Sequence, residues 1–209
     1  MADHVEQLKA FPKTKDFFIG IDSDGCAFDT MEVKHKACFY PMTVQHWGMA
    51  GVAKYVRDVW DFVNLYSQTR GCNRFHALLH TFEHLDAWAE VSERGFRSPQ
   101  VPAVRQWVEA ETKLGNPALE AKVAATNDAE LTQALTWSKA INEQVANIVH
   151  NVPPYPHVRE SLERIAPKAD VMVVSATPNE ALEREWAEHG IDGYVSMICG
   201  QEMGKKAEH

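Results

Sequence analysis

The chain has 209 residues, 45% of them hydrophobic and 24% charged, and carries a formal net charge of -8. That length suits one large domain or a domain with an insert. The acidic balance argues against non-specific binding to nucleic acid or to anionic membranes, but it leaves an anionic substrate open, because a bound divalent cation inverts the charge locally. The four cysteines, Cys26, Cys38, Cys72 and Cys199, form no CxxC pair. Residues Met1 to Ala10 are polar and read as no secretory leader. Reduced thiols in a cytoplasmic protein are therefore expected. No apolar run approaches membrane-spanning length.

Met1 to Lys15 is a polar lead-in with some helical character. Phe17, Phe18, Ile19 and Ile21, broken by Gly20, then form an apolar run. It is long enough for a strand buried on both faces and too short for a helix. The run ends in Asp22-Ser23-Asp24-Gly25. Strand side chains alternate with a period of two, so Asp22 and Asp24 point to the same side. Such a like-charge pair persists where something positive sits between its members, usually a hard cation taking oxygen ligands. Gly25 lets the backbone leave the strand in a conformation most residues avoid, and strand C-terminal ends are where open α/β sheets keep their sites. Asp29, just beyond, reads as a turn residue or a buttress for this loop.

From about Met31 to His150 the pattern is helical. Val52, Tyr55, Val56, Val59, Trp60 and Val63 recur at helical spacing across 50–66, and Phe75, Leu78, Leu79, Phe82, Leu85 and Trp88 do so across 73–93, with Gly95 as the stop. A third helix is expected over 101–114. Asn116 and Pro117 read as N-cap and first residue of a fourth. Asn127 with Glu130 reads as a capping box for a fifth, running to about His150. The six tryptophans, Trp47, Trp60, Trp88, Trp107, Trp137 and Trp186, read as packing residues. His76, His80 and His84 share a helix face, and His80 to His84 matches HxxEH; with ten histidines in the chain this spacing reads as fortuitous rather than as a zinc site.

At Val152-Pro153-Pro154-Tyr155-Pro156 the character changes to a stiff, extended connector and hinge. A helix over 157–165, a buried strand over 170–174 (DVMVV), a helix over 179–189 closed by Gly190 and a strand over 194–199 follow. The fold class is α/β, a parallel Rossmann-like core (1–32 and 152–209) interrupted after its first strand by an all-helical insert (33–151). The second strand feeds Ser175-Ala176-Thr177-Pro178-Asn179-Glu180. There Thr177, Pro178 and Glu180 read as N-cap, first-turn proline and capping-box acid. A strand tip entering a helix start offers a hydroxyl and N–H groups to an anion. Gly204-Lys205-Lys206 puts an ammonium after the third strand. An acidic pair, a hydroxyl and a lysine at three strand tips make a site for a phosphoryl group.

With these three stretches in order, the sequence resembles the haloacid dehalogenase superfamily of aspartate-nucleophile phosphotransferases. Asp22 to Gly25 looks like its first motif, Val173 to Thr177 like its second, and Gly204 to Ala207 like its third, where Lys206 fits the spacing better than Lys205. The insert is similar in position and helicity to the cap of the phosphoglycolate phosphatase and β-phosphoglucomutase branch. The resemblance implies a Mg²⁺-dependent phosphatase or phosphotransferase of small phosphorylated metabolites. It implies Mg²⁺ on the Asp22 carboxylate and the Asp24 carbonyl, Asp22 as nucleophile and Asp24 as acid and base. Ser175, Ala176 and Lys206 would hold the phosphate, and Arg70 or Arg74 in the 66–74 loop would reach a second anionic group. An acidic fourth motif is expected after a further strand, yet the sequence stops at His209 and only about three core strands are counted. The chain is accordingly expected to be a truncated form that binds Mg²⁺ weakly and can self-associate through the bare edge of its first strand. The alternative reading is a catalytically incompetent core or phosphate-binding protein lacking a full metal site.

Overall fold

The computed structural model describes residues 4–204 and Lys206. The elements in chain order are α1 (His4–Lys9), β1 (Phe17–Ile21), α2 (Thr30–Val33), a π-helical stretch (Lys34–Phe39), α3 (Tyr40–His46), a 3-10 turn (Ala50–Val52), α4 (Ala53–Asp61), a second π-helical stretch (Phe62–Tyr66), α5 (Arg74–Ala87), α6 (Ala89–Glu93), α7 (Pro102–Ala110), α8 (Asn116–Thr126), α9 (Ala129–Ile148), α10 (Val158–Ile165), β2 (Ala169–Val174), α11 (Asn179–Glu188), a 3-10 turn (Asp192–Tyr194), β3 (Met197–Cys199) and a last 3-10 turn (Gln201–Met203). The chain divides into two compact units, Met1–Met31 with His150–His209, and Glu32–Val149.

The first unit is α/β. Its sheet has three parallel strands in the order β1-β2-β3. Parallel neighbours need a crossover between them. Between β2 and β3 this is α11; between β1 and β2 the chain passes through the whole second unit before returning by α10. β2 is central and buried along almost its whole length, as its Val-Met-Val-Val run requires. Ala27, Phe28, Leu162, Val171, Val173, Leu182, Trp186 and Ile191 form the main core of this unit.

β1 corrects one expectation. It was read as buried on both faces, but Phe17 and Phe18 are 67% and 58% exposed. Among the described residues β1 pairs on one side only, with β2, so it is an edge strand. An apolar edge of this kind is a ready template for further strand pairing. The proline segment is pinned rather than free: Pro154 bridges Phe28, the Tyr155 amide donates to the Ala27 carbonyl at 2.9 Å, and the Tyr155 hydroxyl donates to Asp29 at 2.8 Å. Asp29 therefore braces the loop after β1.

The second unit is helical. Val52, Tyr55, Val56, Val59, Trp60 and Val63 are all buried, as their spacing predicts, along a continuous 3-10, α and π sequence. Trp47, Trp60, Trp107 and Trp137 pack in the same core, and the Trp137 indole donates to Thr43 at 3.2 Å. Three local expectations move. The helix read over 73–93 breaks at Trp88 (φ -85°, ψ 110°), which turns its ring edge-on to Tyr55 at 5.1 Å. Asn116 lies inside α8, which Gly115 precedes. The cap of α9 is Asp128, whose carboxylate accepts from the Glu130 and Leu131 amides, while Asn127 closes α8 with φ 50°. Glu130 does not reach back to a capping box. It accepts from the Val104 amide at 2.7 Å, capping α7 from outside, where Val101 offers no side-chain acceptor.

β2 carries one buried acid whose role no local sequence pattern signals. Asp170 on β2 is 4% exposed and accepts from the Thr14 amide at 2.8 Å, the Thr14 hydroxyl at 2.5 Å and the Lys15 amide at 3.1 Å. It fastens the lead-in to β1 onto the sheet. The Thr14 hydroxyl, reinforced by the two amides, holds its carboxyl below the usual range. A depressed folded-state pKa means stability that is present above about pH 4 and lost as pH falls further. Asp170→Ala should lower the urea midpoint at pH 7, and its difference from wild type should shrink as pH is lowered through 4 toward 2; a difference constant across that range rejects the assignment.

Candidate active site

The first unit brings three strand tips together. β1 runs out at Ile21 and the chain turns at once. The Ser23 carbonyl accepts from the Ala27 and Phe28 amides at 2.9 and 3.0 Å, and the Gly25 amide donates to the Phe28 carbonyl at 2.7 Å. Gly25 sits at φ 73°, which a side chain would strain. In this tight loop Asp22 and Asp24 are half-buried, and Ser23 between them is fully buried, so the period-two alternation carries past the strand end.

Each carboxylate meets a different strand tip. Asp22 accepts from its neighbouring Ser23 amide at 3.0 Å and pairs with the Lys206 ammonium at 2.6 Å, beyond β3. Both side chains are substantially exposed, so the pair contributes little stability; it matters because it places a cation beside Asp22. Lys205, the other candidate lysine, lies outside the described residues. Asp24 accepts from the Thr177 hydroxyl at 2.7 Å, beyond β2, and from the Thr30 hydroxyl. Neither threonine was read as a site residue. Thr30 carries no sequence signal. Thr177 was assigned a different task.

That assignment is corrected by the structure. Thr177 does not cap α11: the N-cap position is Pro178, and it makes no side-chain cap bond. The Thr177 hydroxyl is committed to Asp24, and the Asn179 amide is instead capped by Glu202 at 2.9 Å. A carboxylate at a helix N-terminus is favourable for the donors and dipole it meets. Asn179 also locks the third tip. Its Oδ1 accepts from the Gly200 amide at 2.5 Å and its Nδ2 donates to the Ile198 carbonyl at 3.3 Å. The Gln201 amide donates to the Thr177 carbonyl at 3.1 Å.

Ser175 is 2% exposed; its amide donates to the Cys199 carbonyl and its hydroxyl oxygen accepts from the Thr177 amide at 3.2 Å. The hydroxyl oxygen thus serves a local turn, while its proton has no acceptor among the described residues. Ala176 is exposed and its amide is likewise uncommitted among them. Burial pushes the Cys199 thiol up, as it does Cys38 and Cys72, so these are poor nucleophiles at neutral pH. Arg70 lies in the other unit, exposed on the loop before α5, and its side chain has no partner among the described residues.

The donor set around Asp22 is chemically suited to Mg²⁺, which takes one or two carboxylates and keeps several waters. The Asp22 carboxylate and the Asp24 carbonyl are hard oxygen donors of that kind. No group of three or more His, Cys, Asp or Glu side chains able to hold a metal occurs among the described residues. This covers the histidine face of α5 as well: His80 lies 3.3 Å from Glu83, Glu83 pairs with Arg105 at 2.9 Å, and His84 packs edge-on to Phe62.

Two solved structures are similar to this chain. One is a protein predicted to be a phosphoglycolate phosphatase, from Haemophilus somnus 129PT, at 18% identity and a TM-score of 0.39 over 92% of this chain. The other is a candidate phosphoglycolate phosphatase from Lactobacillus delbrueckii subsp. bulgaricus ATCC BAA-365, at 15% identity and a TM-score of 0.40 over 92% of this chain. The chain spans 66% and 67% of their lengths. Similarity at this level transfers no chemistry. No family model and no curated protein matches the sequence.

The packing of the third tip against the second is testable. A Cβ on Gly200 would stand 2.5 Å from the Thr177 carbonyl oxygen and 2.8 Å from the Asn179 amide nitrogen, both backbone atoms that cannot yield cheaply. Gly200→Ala should destabilise by about 1–3 kcal/mol in urea unfolding. Gly193→Ala, whose Cβ would meet nothing within 4 Å, should change stability little by comparison.

Proposed function

We propose that the chain is a phosphatase of the haloacid dehalogenase type, acting on small phosphorylated metabolites. The observation that supports this best is the junction of three strand tips, with Asp22 against Lys206 and Asp24 against Thr177. An acidic pair flanked by an ammonium, hydroxyls and an uncommitted amide has what in-line phosphoryl transfer needs: a nucleophile, a proton carrier and donors for the equatorial oxygens.

In this reading an Asp22 oxygen attacks phosphorus and forms an aspartyl-phosphate while the bond to the leaving oxygen breaks. Asp24 enters protonated and gives that proton to the leaving oxygen. Water then attacks the same phosphorus, Asp24 takes its proton, and the bond to Asp22 breaks to restore the carboxylate and release inorganic phosphate. Lys206 and the Ser175 hydroxyl, with the Ala176 amide, hold the equatorial oxygens. The Thr177 and Thr30 hydroxyls hold Asp24 in place between its two proton transfers. Mg²⁺ on the Asp22 carboxylate and Asp24 carbonyl would supply the remaining charge neutralisation.

A second reading, a phosphate-binding protein without turnover, is favoured by one observation. The described residues contain no third acidic ligand for the metal. The two readings separate in one assay. With Mg²⁺, the wild-type chain should hydrolyse p-nitrophenyl phosphate; Asp22→Asn should abolish turnover, and Asp24→Asn should lower kcat by about 10²–10⁴-fold. Removing Mg²⁺ with a chelator should also stop it. Saturable binding of inorganic phosphate by calorimetry, with no turnover under any metal condition, supports the binding reading instead. Turnover by Asp22→Asn at the wild-type rate eliminates the proposed nucleophile.

A further inference from the structure

Ser23 sits between the two site carboxylates and points away from them. It is 0% exposed, and its hydroxyl is held from both sides by one helix: the Trp186 indole N–H donates to Ser23 Oγ at 3.0 Å, and Ser23 Oγ donates to Glu185 Oε2 at 3.0 Å. This orders the hydroxyl completely, because its oxygen is an acceptor on one side and its proton is spent on the other. Every polar group of Ser23 is in use. Its amide donates to Asp22 Oδ1, and its carbonyl closes the loop by accepting from the Ala27 and Phe28 amides. Trp186 is itself fully buried in the core of this unit, with its ring edge-on to Phe28 at 5.7 Å.

We infer that Glu185 and Trp186 are positioning residues for Asp22 and Asp24, acting through the Ser23 hydroxyl. The physical ground is the geometry of the loop. Asp22 and Asp24 flank Ser23 directly, so a rotation of the Ser23 backbone swings both carboxylates, and the Ser23 side chain is held against that rotation by two residues of α11. The same helix begins at Asn179, which fixes the loop beyond β3 through Gly200 and Glu202. One rigid element therefore sets the distance between the acidic loop and the other two strand tips. In-line attack tolerates little misplacement: an error of about 1 Å costs on the order of a hundredfold in rate.

This inference rests on the reading of Asp22 and Asp24 as a phosphoryl site, but the geometry it asserts can be tested separately. The 13Cγ chemical shifts of Asp22 and Asp24 at a fixed neutral pH should both change in Ser23→Ala relative to wild type, whether or not the chain turns over substrate. In the p-nitrophenyl phosphate assay, Ser23→Ala, Trp186→Phe and Glu185→Ala should each lower kcat by about 10–100-fold, with KM within about twofold of wild type. Glu185→Gln keeps an acceptor for the hydroxyl and should restore most of kcat. Should Ser23→Ala fail to fold, Trp186→Phe, which keeps an aromatic ring in the core while removing the indole N–H, carries both measurements. A merely structural role predicts a lower Tm with unchanged kcat, unchanged carboxylate 13Cγ chemical shifts and no rescue by Glu185→Gln, and that pattern overturns the inference. Changed 13Cγ chemical shifts in a chain that hydrolyses nothing would uphold the positioning and reject the phosphatase reading alone.

Discussion

Two carboxylates at one strand tip repel each other, and the surroundings of Asp22 and Asp24 are arranged to offset that repulsion. The offset is divided. Asp22 pairs with an ammonium from beyond β3, and Asp24 accepts hydrogen bonds from the hydroxyls of Thr30 and of Thr177 beyond β2. Thr30 is local, but Lys206 and Thr177 reach through the strand order β1-β2-β3, which lays the three C-terminal ends side by side. Parallel pairing does the rest, because all three strands then finish at the same end of the sheet. The acidic pair would be a liability in an isolated strand. In this sheet it becomes a place where two carboxylates, two threonine hydroxyls and an ammonium meet.

The rigidity of that place comes from α11. Its first residue, Asn179, ties down the loop after β3, and its later turns, through Glu185 and Trp186, tie down the loop after β1. Gly200 shows how closely the tips are fitted, since a single methyl group there would run into two backbone atoms of the neighbouring loop. The helix is closed at its start by an acid from another loop rather than by its own sequence. This frees Thr177 to serve Asp24. A capping bond and a site bond have in effect been exchanged between residues distant in the chain.

Local periodicity explains why much of this was legible beforehand. The Phe17–Ile21 and Asp170–Val174 runs become strands, and the apolar positions from Val52 to Val63 become one buried helix face. Those patterns depend only on where a side chain points relative to its neighbours along the chain, and that is set by the element itself. Caps fared worse for a related reason. Thr177, Glu130 and Asn127 each satisfy a good local rule, yet each is used otherwise: Thr177 on Asp24, Glu130 on the amide of Val104, and Asn127 in a left-handed turn. A side chain that can satisfy a nearby amide can equally satisfy a remote one, and tertiary packing makes the choice.

What the amino-acid sequence determined by itself was the alternation of strand and helix, the interruption by a helical segment, and the chemical types gathered at strand ends. These follow from short-range sterics and from the burial of apolar side chains. Only the tertiary structure decided that β1 is an exposed edge, that Thr30 and Thr177 hold Asp24, that Asp170 clamps the lead-in segment, and that Ser23 is gripped by Glu185 and Trp186. Most of these are contacts between residues far apart in the chain. Their partners are selected by which surfaces the sheet and its helices bring together, and no spacing along the sequence encodes that.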